Sequence, residues 1–597
     1  MTLILTLLLI IGYTYAAHRL LKIKLSYAPI FSVSLIGICL FVFAVNQDLK
    51  IGTWLMIFLG FLFFIIGGLD RFINKDKYDF SWLVQFLIIL SVIIFISFFI
   101  TRDMAFTIVD DYVFWGIIGK YLFMFDHLPD TETTIISKHL SYTPGASLIH
   151  YLFYTLSGDY QSATSYFAQD ILFASALCVV LKRNHPMRSV SLCCLLIVLF
   201  TLFCGSVFIK LQVDYLLSAY FLAVLWIYFN EKPSFLTMIT ISTPVCFLFL
   251  IKEIGIFLGF SLIALILIDI FLFKGIERKQ KISIISAIVI TGAGLIFLKS
   301  VWTAHCQSMG FLKFSNAINV DSIINSFKIF SDQGVQKGFA AFIKGVFLAP
   351  ADRLNLPYIL WYTALAFFWV KIFKNQGVEE KKRYKRLMAG LGICFLIYLI
   401  MNYFLQIIVF GVGVHQRETI GLTRYLNILA VQIIIFTILL YVQETVFKGK
   451  MSRKAVISFV IVICLVLTAS RVETTLNREK HYSESKKIAV KIASSIPEKV
   501  NKICIIPGTN DHHLWIQLLY HLLPNKISHS GFPVENKKIF AENLKKYDYV
   551  YFNRPNQRIL AWVEPMVSKP FEDYGFFKIE FANNALGNKG ITLNRLF

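Results

Sequence analysis

Charge is what this chain has least of: only 16% of its 597 residues are Asp, Glu, Lys or Arg. A soluble protein of that length needs more to cover its surface, so a soluble globular fold is excluded and a polytopic membrane protein remains. Acids are scarcer than bases, 36 against 58, for a net charge of +22. In a soluble chain that excess would suggest nucleic acid. Where 57% of residues are hydrophobic it fits basic loops on an anionic lipid surface, so membrane lipids are expected partners and nucleic acid is not. The ten cysteines show no metal-ligand spacing. Most sit within apolar runs as small hydrophobes, and only Cys306 and Cys504 fall in expected exterior segments, too little to support a disulfide. There is no P-loop, no GxGxxG before a helix and no HExxH, which leaves nucleotide hydrolysis and zinc proteolysis without a foothold. No internal repeat or low-complexity tract is visible.

Apolar sequence, by contrast, is abundant. Runs long enough to span a bilayer occur near 1–17, 28–46, 52–69, 81–100, 160–181, 189–209, 214–229, 234–251, 255–273, 283–300, 357–374, 387–408, 425–444 and 455–470. The expected fold is therefore a polytopic α-helical membrane protein of about fourteen helices. The first run, "MTLILTLLLIIGYTYAAH", lacks a basic leader and runs directly into "HRLLKIK", so it reads as an uncleaved helix with its N-terminus outside. In that orientation the inside stretches, "KKRYKR" and "KGKMSRK" among them, are far richer in Lys and Arg than the longer exterior ones. Exterior loops are then 101–159, 301–356 and 404–424, and the tail 471–597 is exterior too. Within the tail, "NKICIIPG" and "YDYVYFNRP" read as buried strands and "HHLWIQLLYHLLP" as a helix, giving a small α/β domain of about 125 residues.

Two adjacent acids, Asp110 and Asp111, open the first exterior loop in "VDDYVFWGIIGKYLF". An N-cap with a neighbouring surface charge accounts for them as well as a functional role does. After the acids come an amphipathic stretch with Trp115 and Lys120, a polar link, and the turn Tyr142-Thr143-Pro144-Gly145 before another apolar helix. This order resembles the GT-C superfamily of integral membrane glycosyltransferases, among them bacterial protein-mannosyltransferase-like and aminoarabinose-transferase-like enzymes. Those enzymes carry an acidic motif at the start of the first long exterior loop, membrane-parallel amphipathic helices and a "YPPG"-like turn. The resemblance covers roughly 81–470, with 1–80 as preceding helices and 471–597 as the exterior domain. It departs in one respect: members usually have one helix before this loop, and here there are four. Either three extra helices precede the core or the core aligns differently.

The resemblance implies a sugar donor linked to polyprenyl phosphate and an envelope glycan, lipid or protein acceptor. It also implies a bacterial inner membrane with both termini exterior. Asp110 or Asp111 would be the general base, Asp110 first, or would hold a divalent metal ion if one serves. Repulsion between neighbouring carboxylates near lipid strengthens either as a base. A phosphate leaving group needs cations, and Lys210, Lys252, Arg417 and Arg424 lie at expected exterior helix ends, Arg424 being the first choice. Asp214 resembles the second acid of such enzymes. Glu253, His415, Lys138, His139 and His150 are further candidates, although a helix-end charge reaches water cheaply and a buried His is more often structural. Asp170 and Asp269 fall inside helices, where a carboxylate costs at least ~2.5 kcal/mol unless it faces a cavity; Asp269 is expected to snorkel to the cytoplasmic side.

Two other functions are open. A polysaccharide polymerase or ligase would make the 404–424 cluster primary and the acids incidental. A transporter should show paired halves or broken midplane helices, and neither is visible.

Overall fold

Backbone polar groups in lipid must be satisfied within their own segment, so uninterrupted apolar runs fold as helices. The computed structural model describes residues 2–73, 80–102, 104–106, 110–130, 140–182, 186–205, 210–272, 277–311, 320–328, 331–374, 376–410, 421–446, 483–497, 502–507, 512–523, 526–529, 537–553, 555, 557–567, 574–583 and 589–596. The run 455–470 and the candidates Lys138, His139, His415 and Arg417 lie outside these residues.

The helices are α1 (Thr2–Leu20), α2 (Ala28–Val45), α3 (Leu49–Ile73), α4 (Phe80–Thr101), α5 (Ile117–Phe125), α6 (Gly145–Ser157), α7 (Ser162–Leu177), α8 (Pro186–Cys204) and α9 (Asp214–Asn230). They continue as α10 (Phe235–Ile251), α11 (Gly255–Leu272), α12 (Arg278–Ser308), α13 (Val320–Ser326), α14 (Gln333–Leu348), α15 (Tyr358–Lys374), α16 (Val378–Phe404) and α17 (Leu422–Tyr441). Eight helices among the described residues are long and apolar enough to cross a membrane, and four shorter apolar ones accompany them. The chain is a helical membrane protein. The C-terminal part adds α18 (Ser483–Ser494), β1 (Lys502–Pro507), α19 (His512–His521), β2 (Lys526–His529), α20 (Lys537–Leu544), β3 (Tyr549–Asn553), α21 (Gln557–Val563), β4 (Tyr574–Asn583) and β5 (Lys589–Arg595).

The chain forms two compact units. The first is Met1–Ala105, Phe125–Leu128 and Ser141–Val472. Its centre is α9, buried from Asp214 through Tyr228 and packed by α7, α10, α11 and α17. On the outside, α3, α4, α12 and α16 turn Phe58, Phe95, Phe297 and Leu396 outward, the apolar belt that lipid would cover. Small residues let the helices close up: a Cβ on Gly12 would stand 2.0 Å from the Gly60 carbonyl oxygen, so α1 and α3 meet backbone to backbone.

One end of this bundle is tied by polar groups. Asp269 accepts from Tyr228 Oη at 2.8 Å, Arg386 Nη2 at 3.1 Å and Arg383 Nε at 3.4 Å. This corrects the expectation that Asp269 snorkels. It is 2% exposed, and two arginines of the basic run come to it instead of facing water. Nearby, Lys24 and Tyr27 both donate to Glu231 at 2.7 Å. Deeper in the bundle, Ser97 donates to the buried Asp170 at 2.5 Å.

The second unit is Phe106–Met124, Pro129–Leu140 and Glu473–Phe597, so residues 106–124 group with the tail. Its five-stranded sheet runs β2-β1-β3-β4-β5, parallel across β2, β1 and β3 and antiparallel across β4 and β5. Cys504 and Ile506 of β1, Val550 and Phe552 of β3, and Phe577 of β4 share a core with Phe540, Leu544 and Val563 from α20 and α21. The segments read as strands and helix in the tail are β1, β3 and α19. Among the described residues the cysteines, Cys306 and Cys504 included, are free thiols.

Candidate functional site

Four chain turns converge at the other end of the bundle. Asp214 is the first residue of α9, Lys252 comes just after the last residue of α10, and Arg424 lies in the first turn of α17. Lys252 Nζ donates to Asp214 Oδ1 at 2.6 Å, and Arg424 Nε to Asp214 Oδ2 at 2.5 Å. The side chains of Asp214 and Lys252 are only 10% and 14% exposed, and that of Arg424 is 34% exposed. Two cations on one carboxylate leave the cluster positive. Lys252 Nζ also lies 5.2 Å from the ring centre of Tyr425, and Tyr398 Oη holds the Tyr425 carbonyl at 2.8 Å, fixing the first turn of α17.

The fourth turn ends α8. Lys210 Nζ donates to the Cys204 carbonyl at 3.0 Å, a cation at the negative end of the helix dipole. Gly205 takes φ 80, a left-handed backbone that favours glycine, and a Cβ there would lie 2.7 Å from Lys210 Nζ and 3.1 Å from the Arg353 guanidinium. Lys210 and Arg353 are therefore neighbours. Arg353 is positioned by the turn before α15, where Asp352 accepts from Leu354 N at 2.9 Å, Leu356 N at 3.1 Å and Trp361 Nε1 at 2.7 Å. Asn427, one turn along α17 from Arg424, donates to the carbonyls of Phe203 and Ala351 and accepts from Tyr358 Oη.

Thus Asp214, Lys252 and Arg424 are brought into direct contact, and Lys210 joins the same end of the bundle. Sequence reasoning missed Arg353 and Asn427. The turn Tyr142–Gly145 belongs here too: a Cβ on Gly145 would strike the Leu250 carbonyl at 2.6 Å, which only glycine avoids. Glu253 is half-buried in the turn between α10 and α11. His150 is buried inside the bundle, with Nε2 3.0 Å from Gln169 Oε1, a packing role.

Along α15, α16 and α17, starting near this end, runs an open apolar groove with room for about 120 Å3, lined by Tyr362, Trp369, Met388, Gly392, Phe395 and Ile434. A Cβ on Gly392 would meet nothing within 4 Å. The groove begins one turn below Tyr358, whose hydroxyl reaches the Thr423 carbonyl of α17 at 3.2 Å.

The acids lie in the second unit. Asp110 occupies the N-cap position in helical conformation, φ −60 and ψ −34, and its side chain makes no capping bond. Asp111 is fully buried and opens a π-helical turn, Asp111–Gly116, that runs into α5. Such wide turns cost hydrogen-bond geometry and are concentrated at functional sites. The turn is braced by Tyr112, whose hydroxyl donates to the Phe106 carbonyl at 2.8 Å and whose ring meets Tyr520 edge-on at 5.1 Å. Among the described residues no three His, Cys, Asp or Glu side chains come together as metal ligands. Asp110 and Asp111 alone are an incomplete ligand set.

No protein-family model matches the chain, and a comparison with the curated proteins finds no match.

Proposed function

We propose that the chain is a membrane glycosyltransferase that moves a sugar from a polyprenyl-phosphate donor to an envelope glycan, lipid or protein acceptor. The supporting observation is the positive cluster of Asp214, Lys252, Arg424 and Lys210 at helix ends beside an apolar groove. A lipid-linked phosphate requires that pairing: cations in a desolvated setting for the head, an apolar channel for the tail.

In the proposed reaction a carboxylate base, a role that the sequence resemblance gives to Asp110 or Asp111, takes the proton of the acceptor hydroxyl. The oxygen attacks the anomeric carbon, the bond from that carbon to the phosphate oxygen breaks, and the phosphate leaves with the electron pair. Lys252 and Arg424 offset its growing charge, and Asp214 holds both in place. If a divalent ion assists, the two acids are where it would sit. The cation end then faces the outside of a bacterial inner membrane, with both chain termini on that side. Arg424 is equally central to a polymerase or ligase that joins preassembled glycans, and that is the second possibility.

Native mass spectrometry of the purified chain with added undecaprenyl phosphate tests the donor site. One bound lipid is expected in the wild type and none in Lys252→Met/Arg424→Gln. Equal binding by both would refute the proposed donor site.

A further inference from the structure

The stretch between α12 and α15 carries a surface that the proposed reaction does not use. Its two helices, α13 and α14, both fasten to Tyr403 near the end of α16. Tyr403 Oη donates to the Ser326 carbonyl at 2.6 Å, and its ring meets those of Phe339 and Phe342 at 5.8 and 5.5 Å. Further along α14, Tyr362 of α15 donates to the Val346 carbonyl at 3.3 Å. Val335, Gly338, Phe342, Gly345 and Val346 form the buried side of α14.

The outward sides of these helices are apolar as well. Val320, Ile324 and Phe327 recur at intervals of four and three, and all are exposed. On α14 the exposed row is Ala340, Ile343 and Phe347, again at three and four residues and so on one face. Exposed apolar rows of this length mark contact with a protein or with lipid. Lipid is the neighbour at hand. Ile359 and Leu360 at the start of α15 and Ile400 near the end of α16 are exposed too, so the rows continue the apolar belt of the bundle.

Cations edge both rows. Lys328 follows Phe327, and Lys337 and Lys344 lie seven residues apart on α14, a second row beside Ile343 and Phe347. All three lysines are exposed, and no acid among the described residues pairs with any of them. Helix α14 has no acid of its own, and Asp332 is turned into its N-terminus, where Oδ1 accepts from Gly334 N at 2.7 Å and Val335 N at 3.1 Å. Apolar side chains flanked by lysines suit the boundary between acyl chains and headgroups, with the ammonium groups reaching phosphate.

We propose that α13 and α14 form a docking surface for anionic phospholipid, with Ile324, Phe327, Ile343 and Phe347 against the acyl chains and Lys328, Lys337 and Lys344 on the headgroup phosphates. The surface stands apart from the transferase reading, since it uses none of the same residues.

The test is hydrogen exchange of the full-length chain in nanodiscs of phosphatidylglycerol and of phosphatidylcholine, read at amides 320–328 and 333–348. In the wild type these amides should exchange about tenfold more slowly in phosphatidylglycerol, the effect of lysines held at an anionic surface. The triple variant Lys328→Gln/Lys337→Gln/Lys344→Gln should exchange equally in both lipids, and Lys328→Arg/Lys337→Arg/Lys344→Arg should keep the difference. Ile343→Ser should speed exchange of α14 in both lipids. Equal exchange of the wild type in the two lipids, a comparison that needs no variant to fold, would overturn the proposal and leave the rows to a protein partner. A difference that survives in the triple Gln variant would overturn it too.

Discussion

Replacing Asp214 by Asn leaves two cations facing a neutral amide at the end of the bundle. The Asp214 and Lys252 side chains are 10% and 14% exposed, so their 2.6 Å bond is a buried, charge-assisted one. Removing one partner of such a pair costs about 3–5 kcal/mol, since the other charge stays buried. The Arg424 bond is shorter, 2.5 Å, but that guanidinium is 34% exposed and reaches water, so its share is nearer ~1 kcal/mol. Asn keeps one carbonyl acceptor, which returns part of the loss. The expected destabilisation is therefore about 3 kcal/mol for Asp214→Asn and about 4 kcal/mol for Asp214→Ala. Unfolding in sodium dodecyl sulfate, run as a double-mutant cycle with Lys252→Met, measures the coupling. Once Lys252 is gone, Asp214→Asn should cost less by about 1.5 kcal/mol or more. Additivity within about 0.5 kcal/mol would refute the claim that these groups act as one buried cluster.

The pKa of His521 is about 4 in the folded unit and 6.5 ordinarily, a depressed value, so the unfolded chain binds the extra proton between those limits. Stability of the second unit is thus complete above pH 6.5 and falls by up to roughly 3 kcal/mol as pH drops to 4. Hydrogen exchange in β1 and β3 reads this, and His521→Gln should flatten the profile. Gly255→Ala places a Cβ 1.9 Å from the Leu248 carbonyl oxygen, a backbone clash, and should cost more than ~2 kcal/mol in the same detergent unfolding. Gly392→Phe fills open space in the apolar groove and should leave that unfolding unchanged while lowering retention of undecaprenyl phosphate in native mass spectrometry. Undiminished retention would remove the groove as the seat of a lipid tail.

The membrane helices were legible because their signal is composition. Thirteen of the expected runs fall on helices, eleven of them within about five residues at each end, and the fourteenth lies outside the described residues. The tail strands were legible for the same reason: "KICIIP" and "YVYFN" are short, apolar and bounded by turn residues. The contacts of Asp214, Lys252 and Arg424 rest on a softer signal, charges at helix ends that run against the loop bias.

Arg353 gave no signal at all. It lies in "APADRLNLPY", and its place is set by an Asp352 side chain that organises the turn through three hydrogen bonds. Nor does sequence show the π-turn at Asp111, since hydrogen-bond register and not residue type distinguishes it from an α-turn. The "KKRYKR" run misled in part. Charge counting treats every basic residue alike, but Arg383 and Arg386 fall on the helix face toward Asp269. The grouping of 106–124 with the tail was hidden as well. It depends on packing against α19, four hundred residues away.

The most direct test of the central claim is mass spectrometry of envelope glycans and glycolipids from a strain lacking this protein. The strain is complemented with wild type, Asp110→Asn or Asp111→Asn at matched membrane abundance. A transferase predicts that one sugar unit disappears, that wild type restores it and that at least one Asn variant does not. Full restoration by both variants would contradict the assigned base. Loss of a whole polymer in place of one sugar would transfer the chemistry to the Arg424 end of the bundle and to a polymerase or ligase.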